Sequence, residues 1–484
     1  VRHRFNLNPL ATVLRHDLRT ITRSVRYRVV FAVALVLASL ASMSGARRYL
    51  REVSERESLL AAAEQEWLSQ DPKAPHPANH FGRWVIKPIE PLSIFDRGVE
   101  DFVGQRIVLD AHVKTPLVGA VSEEDPLRAL LGGFDLSFVV AVLFPLLAIF
   151  VSYDTICGEK ERGTLRQVLA SPATRLQVFL GKLGALALVV LACFGTATVL
   201  GFVIPLCLGV RFDRGAAGQM AGLLGATLAY LGVFLGASVA VSASSARSSR
   251  ALAVSLGFWL CSVFLVPRVA ALVAATVHPA SPLLSLHQEQ QDLSRDLAVH
   301  RAARYRSVLE EIRKQHPEIP EDFGTQGHNG HHASADPSWT IDPTGVFISE
   351  ANAILNQRRD QAIARSSAAG RRQQALAGAI AQVSPTVLVL MTWSRLALTD
   401  SFHHQWFKSA VDDCFLRFGA YFNHLWAHNV KQLSDFSAAP RFVYQREPYA
   451  VAVRRARMPF VALMVLAVAV TGIAAFRLKG YDAR

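Results

Sequence analysis

Six uninterrupted apolar runs divide this 484-residue chain: Val29 to Ala46, Phe134 to Tyr153, Leu183 to Leu208, Met220 to Ala243, Ala251 to Val277 and Phe460 to Phe476. An α-helix rises 1.5 Å per residue, so each run is long enough, or nearly so, to cross a hydrocarbon layer about 30 Å thick. In the first run, Val29, Val30, Phe31, Val33, Leu35, Val36, Leu37 and Leu40 together favour insertion by roughly 2–5 kcal/mol. The expectation is an all-α integral membrane protein with six transmembrane helices, not the two or three water-soluble domains usual at this length. The first run is read as a retained span. Its basic leader of 28 residues and its apolar length both exceed those of a cleaved signal.

Lysines and arginines near the run ends set the orientation. Arg15, Arg19, Arg23, Arg26 and Arg28 precede the first span, and Lys160, Arg162, Arg166, Arg175 and Lys182 join the second to the third. Arg247 and Arg250 join the fourth to the fifth, and Arg477, Lys479 and Arg484 follow the sixth. Six spans put all of these on one side, which the positive-inside rule makes the cytoplasm in a cell inner (plasma) membrane, with both termini there. Arg47, Arg48, Arg51, Arg454, Arg455 and Arg457 fall on the other side, beside long segments where the rule is weaker. The net charge of +13 is assigned to anionic lipid. Nucleic acid is not expected, because the arginines cluster at spans and form no stripe interleaved with aromatics.

The resulting organisation is a cytoplasmic amphipathic segment over 1–28, spans at 29–46, 134–153, 183–208, 220–243, 251–277 and 458–477, a cytoplasmic loop over 154–182 and a tail over 478–484. Extracytoplasmic insertions occupy 47–133 and 278–457. Together they predict a mainly helical external domain with a little β structure. Amphipathic patterning places helices at Leu283 to His316, Gly345 to Gln382 and Asp400 to Phe436, and "QRIVLDAHVK" is the one candidate strand. The five cysteines show no C-x-x-C spacing and three lie inside apolar runs, so neither a disulfide framework nor a zinc site is indicated.

The loop itself, "ICGEKERGTLRQVLASPATRLQVFLGKL" from Ile156 to Leu183, spaces Gly158 and Gly163 like a phosphate-binding loop. Such a loop needs a preceding strand and a Lys after its second glycine to reach the phosphates; here Thr164 follows Gly163 and a helix-length apolar run precedes. Helix signals account for the stretch better. Thr164 with Gln167 fits a capping box, Leu165, Val168 and Leu169 make an apolar face, and Ser171–Pro172 suits the start of the next helix. The expectation is a short amphipathic helix at the membrane surface between two spans.

These residues carry a resemblance. "DLSFVVAVLFPLLAIFVSYDTICGEKERGTLRQVLASPATRLQVFLGKL", Asp135 to Leu183, resembles the second span, cytoplasmic loop and start of the third span in ABC-2 type transporter permeases. The family's loop pattern is met by Glu159, Gly163, Thr164, Leu165, Pro172, Gly181 and Lys182. A weaker likeness covers the whole chain, including "SPTVLVLMTWSRLALTDSF", and the large insertions match a subgroup usually encoded beside a second permease and an ATPase. The resemblance implies that the loop docks in a groove of a separate ATP-binding subunit. Glu159 and Glu161 would supply charge, Leu165, Val168 and Leu169 the apolar contact, and Gly163 a hinge or close approach. It also implies a transmembrane dimer, with an identical or different permease and two ATP-binding subunits; ATP and Mg2+ belong to those partners, this chain has no cofactor of its own, and export is the expected direction.

Other residues are weighed against plainer roles. His328, His331 and His332 sit in a glycine-rich external loop and are weak metal candidates. His403 and His404 are expected on the surface. Phe402, Trp406, Phe415, Phe418, Phe422 and Trp426 form a helical stripe suited to contacts within the external domain, with a partner permease or at the outer membrane surface. Arg268, within the fifth run, is a candidate for the transport path or a snorkelling side chain. Asp135 and Asp154 mark the water boundaries of the second span. No catalytic constellation is evident. Two rival classes are a membrane-anchored sensor or assembly component, and a membrane enzyme using the histidine loop.

Overall fold

The computed structural model describes residues 7–110, 117–120, 134–279, 368–428 and 430–479, with isolated positions between 291 and 361. The expected helices at Leu283 to His316 and Gly345 to Gln382, for most of their length, and the loop carrying His328, His331 and His332, lie outside the described residues. Two units are distinguished, one made of 1–268 with 381–484 and one of 269–380. In the second, 269–277 complete a helix and 368–380 are helical. The account below concerns the first.

The helices are α1 (Leu7–Arg23), α2 (Val25–Leu68), α3 (Pro75–Phe81) and α4 (Phe144–Ser152, reached through Leu136–Phe138 and a π turn Val139–Leu143). After the short α5 (Cys157–Glu161) and α6 (Thr164–Leu169) come α7 (Arg175–Cys207), α8 (Ala216–Ser244) and α9 (Ser248–Val277). The chain ends with α10 (Pro385–Ala397), α11 (Ser401–Ala427) and α12 (Tyr449–Lys479). Six of these segments are long and apolar enough to cross a membrane: α2, the stretch Leu136–Glu161 containing α4, α7, α8, α9 and α12. The protein is an all-α multi-pass membrane protein with a single small sheet among the described residues.

Three spans carry a π turn, at Val139–Leu143, Leu191–Gly195 and Cys261–Leu265. Pro145 and Pro267 follow the first and third closely. A proline has no N–H to donate and its ring displaces the carbonyl four residues earlier, so the helix widens by one residue to pass it. Side chains set the helix starts. Ser24 Oγ accepts from Tyr27 N at 3.2 Å at the break between α1 and α2. Asp135 Oδ1 accepts from Phe138 N at 2.9 Å at the head of the second span, and Asp154 at its other end forms a two-pronged pair with Arg26 at 3.0 Å.

α2 outlasts its apolar run. It continues to Leu68 because "REVSERESLLAAAEQEWL" is rich in strong helix formers, and it delivers Trp67 into a second core away from the bundle. That core joins Trp67, Ala78 of α3, Val85, Ile107 and Leu109 of a two-stranded antiparallel sheet, and Phe407, Val411, Cys414, Phe418 and Phe422 of α11. The sheet pairs β1 (Arg83–Ile86) with β2 (Arg106–Leu109), Trp84 opposite Val108. β2 lies in the stretch expected to be a strand; its partner β1 was not expected, since four residues are too few to show an alternation. α11 ends at Ala427, and the chain beyond it bonds back, Trp67 Nε1 donating to Phe436 O at 2.9 Å. Of the aromatic stripe, Phe418 and Phe422 are buried and Phe402 is exposed, while the Trp426 side chain lies outside the described residues.

α10 differs from expectation: it does not stand in the external insertion but lies among the spans, against α8 and α12. Its sequence PTVLVLMTWSRLA is apolar yet only 13 residues long, enough for about two thirds of a bilayer core. Its ends are fastened by hydrogen bonds. Ser384 Oγ donates to Ser262 O at 2.5 Å and Gln219 Nε2 donates to Leu396 O at 2.6 Å. Between them Tyr230 Oη donates to Ala141 O at 2.6 Å and accepts from Thr386 at 3.0 Å.

Between bundle and second core lies a dense set of buried charges, which stay in the interior only because they are paired. Arg97 binds Asp101 and reaches Glu52 at 2.9 Å, Lys87 pairs with Glu100, and Arg455 joins Asp400 to Glu447. His403 is part of this set. It is fully buried, correcting the surface assignment, because α11 turns that face toward the chain at 444–447. Its Nδ1 lies 3.3 Å from Glu447 and its Nε2 takes a 3.0 Å bond with Tyr444 Oη. Burial lowers its proton affinity, but the bonds to Glu447 and Glu90 outweigh that and hold it above the usual imidazole range. His404 is half-buried and is pushed down to about 4 by burial and by the charges of Lys87 and Lys408.

Gly45 of α2 supports a close approach. A Cβ there would lie 2.2 Å from the backbone oxygen of Ile94. Gly45→Ala is therefore expected to lower stability by about 1–3 kcal/mol, the usual cost of overpacking, read as a drop in thermal midpoint in detergent.

Candidate functional site

The stretch 154–182 forms a compact structure at one end of the bundle, built by side chains that cap neighbouring helix ends. Ser242 Oγ, near the end of α8, accepts from the N–H groups of Ile156 and Cys157 at 3.1 Å each and so starts α5. Lys160 caps α8 in turn, its ammonium donating to Ala243 O and to Ser245 O, where a helix C-terminus presents unpaired carbonyls. Glu161 accepts from Ser248 N at 2.8 Å and Ser248 Oγ at 2.6 Å, capping α9. One short helix thus holds the adjoining ends of two spans.

Glu159 faces the other way. Its Oε1 accepts from Lys182 Nζ at 2.5 Å, and the same ammonium reaches Asp17 of α1 at 3.1 Å. Lys182 is only 3% exposed, so this three-group bridge ties α1, α5 and α7 together in the interior. Beside it Gly181 lets α1 approach: a Cβ would sit 2.8 Å from Val13 Cγ1 and 3.2 Å from Leu10 O. The adjacent Gly181 and Lys182 thus have one purpose each, close contact and charge compensation. Arg175 NH1 donates to Lys479 O at 2.9 Å, placing the end of α12 at this same face.

α6 follows Gly163, whose φ of +72° is the left-handed region that favours glycine. A Cβ there would meet nothing within 4 Å, so the requirement is conformational and not one of close approach. The capping expectations shift along the chain. Gly163, not Thr164, occupies the cap of α6 without a side-chain bond, and Thr164 Oγ1 donates instead to Glu159 O at 3.4 Å. The capping box belongs to Thr174 and Gln177: Gln177 N donates to Thr174 Oγ1 at 3.2 Å and Thr174 N to Gln177 Oε1 at 2.8 Å. Ser171–Pro172 precedes it as a turn, because the reciprocal Thr174–Gln177 bonds satisfy two backbone donors at once. On α6 Leu165 is buried, Val168 and Leu169 are half-buried, and Arg166 and Gln167 are exposed.

Of the residues singled out from sequence, Glu159, Glu161, Gly163, Thr164, Leu165, Val168 and Leu169 are therefore brought together at one end of the bundle. Arg268 is not with them; it is exposed on α9, just beyond the π turn. Asp17 and Ser242 were not singled out, and Gly181 and Lys182 entered only as part of the family's loop pattern and, for Lys182, of the basic set that orients the spans. The signal that could have found them was a lysine seven residues into an apolar helix, which needs a partner to stay there. Among the described residues no group of three or more His, Cys, Asp or Glu side chains is placed to hold a metal ion.

Residues 11–327 match the family model of the ABC-2 family transporter proteins. The chain belongs to that family. The matched region takes in most of α1 and the stitched segment α5–α6. A second model, a domain of unknown function designated DUF3526, matches 284–445 of this ABC-2 family member, covering α10 and α11. The chain is 34% identical over 155 residues to the probable ABC transporter permease protein NosY of Pseudomonas aeruginosa, covering 31% of this chain and 55% of that protein. It is 36% identical over 135 residues to the probable NosY permease of Stutzerimonas stutzeri, covering 26% and 47%. The chain spans about half the length of the curated relatives it matches.

Proposed function

We propose that this chain is the transmembrane, non-catalytic subunit of an ATP-driven exporter, with α5 and α6 as the element on which an ATP-binding subunit acts from the cytoplasm. One observation carries the reading: α5 is bonded to α7, α8 and α9 at once and is linked to α1 through Lys182, while α6 beside it leaves Arg166 and Gln167 exposed. A push on α6 therefore reaches several spans as a rigid-body displacement. ATP is bound with Mg2+ and hydrolysed next door, by two copies of the partner, and the bundle is completed by a second permease. Both termini then lie in the cytoplasm with the face that carries Arg175 and Lys479. Export rests on family analogy.

The direct test is Val168→Asp on α6, made in the full assembly. It is expected to lower stimulated ATP hydrolysis and recovery of the ATP-binding subunit by about tenfold, an interface loss of about 1.4 kcal/mol, with the thermal midpoint of this chain unchanged. Undiminished recovery and hydrolysis refute the docking role. Gly163→Ala has room but the wrong backbone, and is expected to cost about 1–2 kcal/mol locally, read as faster amide exchange in α6.

A further inference from the structure

We propose that His76 and His80 form a binding site for a divalent transition-metal ion beside the second core, independent of the proposed ATPase coupling. α3 carries the two histidines four residues apart, which puts them on one face. Their Nε2 atoms face each other at 3.2 Å. Two nitrogens each about 2.0–2.1 Å from a zinc ion and separated by a tetrahedral angle stand about 3.3 Å apart. The spacing therefore already matches two ligands of one ion.

A second observation points the same way. Asp110, at the end of β2, places its Oδ1 3.2 Å from His80 Nδ1. That carboxylate keeps the His80 proton on Nδ1 and leaves the Nε2 lone pair directed at His76, the arrangement by which carboxylates orient metal-binding imidazoles. Without metal, His76 Nε2–H donates to that lone pair. With metal, the ion replaces the shared proton and His76 carries its proton on Nδ1, so no net proton is lost. α3 is fixed in place by buried Pro75, Ala78 and Asn79, and the two rings are held edge to face at 4.7 Å. The His80 side chain is 45% exposed, so water can complete the coordination. Paired imidazoles favour zinc, nickel or copper over magnesium or calcium.

The test uses the full chain, purified in detergent without a histidine tag, stripped with chelator and titrated with Zn2+ and separately with Ni2+ near neutral pH. One saturable equivalent is expected, abolished by His76→Ala and by His80→Ala, and weakened about tenfold or more by Asp110→Asn. A variant with His328, His331 and His332 all changed to Ala should bind as the parent does. Thermal midpoints without metal establish that the variants fold. Binding that survives in the His76→Ala/His80→Ala double variant, binding lost only in the triple loop variant, or no saturable uptake, meaning an adventitious ion only, would each overturn the proposal.

Discussion

Lys182→Met is expected to cut stability by about 3 kcal/mol, the cost of removing one partner from a buried charge pair, and to abolish ATP-driven transport. Its ammonium is the only cation bonded to both Glu159 and Asp17 among the described contacts, and their side chains are just 18% and 13% exposed. Without it the two carboxylates repel, and either one takes up a proton or α1 moves off α7. A triple variant, Lys182→Met with Glu159→Gln and Asp17→Asn, removes the uncompensated charge. Replacing a buried ionic set by neutral groups is often harmless to stability, so the triple variant should regain most of the lost thermal midpoint. It should remain uncoupled, because the bond from α5 to α7 is still missing. Recovery of transport along with stability would show that the bridge only holds the fold and transmits nothing.

Stability is also expected to fall as pH rises from about 4 to about 7, and Asp96→Asn should remove that part of the slope. Asp96 is buried where the first insertion meets the bundle, with Gly98 N donating to its Oδ1 at 3.1 Å and its other oxygen unpartnered. Burial, and then the neighbouring charge of Asp135, push its carboxyl up to about 7, and Asp400 adds to the effect. The folded chain therefore holds a proton that the unfolded chain releases near pH 4. Protons bound in excess by the folded state mean stability that is present at low pH and lost as pH rises through the folded value. An asparagine at 96 keeps the neutral form at every pH. At pH 8 the variant should be more stable than the parent by up to roughly 4 kcal/mol, because a tenfold difference in proton affinity between folded and unfolded chains is worth about 1.4 kcal/mol. At pH 4 it should melt no higher than the parent. Parallel pH profiles for the two proteins would show that Asp96 is ionised in the fold.

The six spans were legible because their signal is local: an apolar run long enough for a bilayer is visible in any window of about twenty residues. The stretch 154–182 was legible as a short helix between glycine and a capping box, yet the box fell ten residues later, on Thr174 and Gln177 instead of Thr164 and Gln167. Both pairs have the required residue types at the required spacing. What selected between them was Gly163, whose positive φ ends α5 and leaves α6 starting without a side-chain cap. α10 shows a different limit. Its thirteen residues are apolar like a span and too short to be one, so sequence placed them with the insertion, whereas bonds from Tyr230, Gln219 and Ser262 draw them into the bundle.

Composition and periodicity alone thus established a six-span helical membrane protein and the position of its surface loop, since burial in lipid is a property each segment satisfies by itself; the ABC-2 likeness came from the residues of that loop. Which charges meet was decided only in three dimensions. Lys182 and Asp17 are 165 residues apart, and the Arg83 guanidinium donates to the carbonyl of Ala439, 356 residues away. His403, one of two adjacent histidines on a polar helix, became interior because of Glu90, Tyr444 and Glu447. A charge in a low-dielectric interior persists only where a partner from elsewhere in the chain arrives, and the sequence around it carries no mark of where that partner lies.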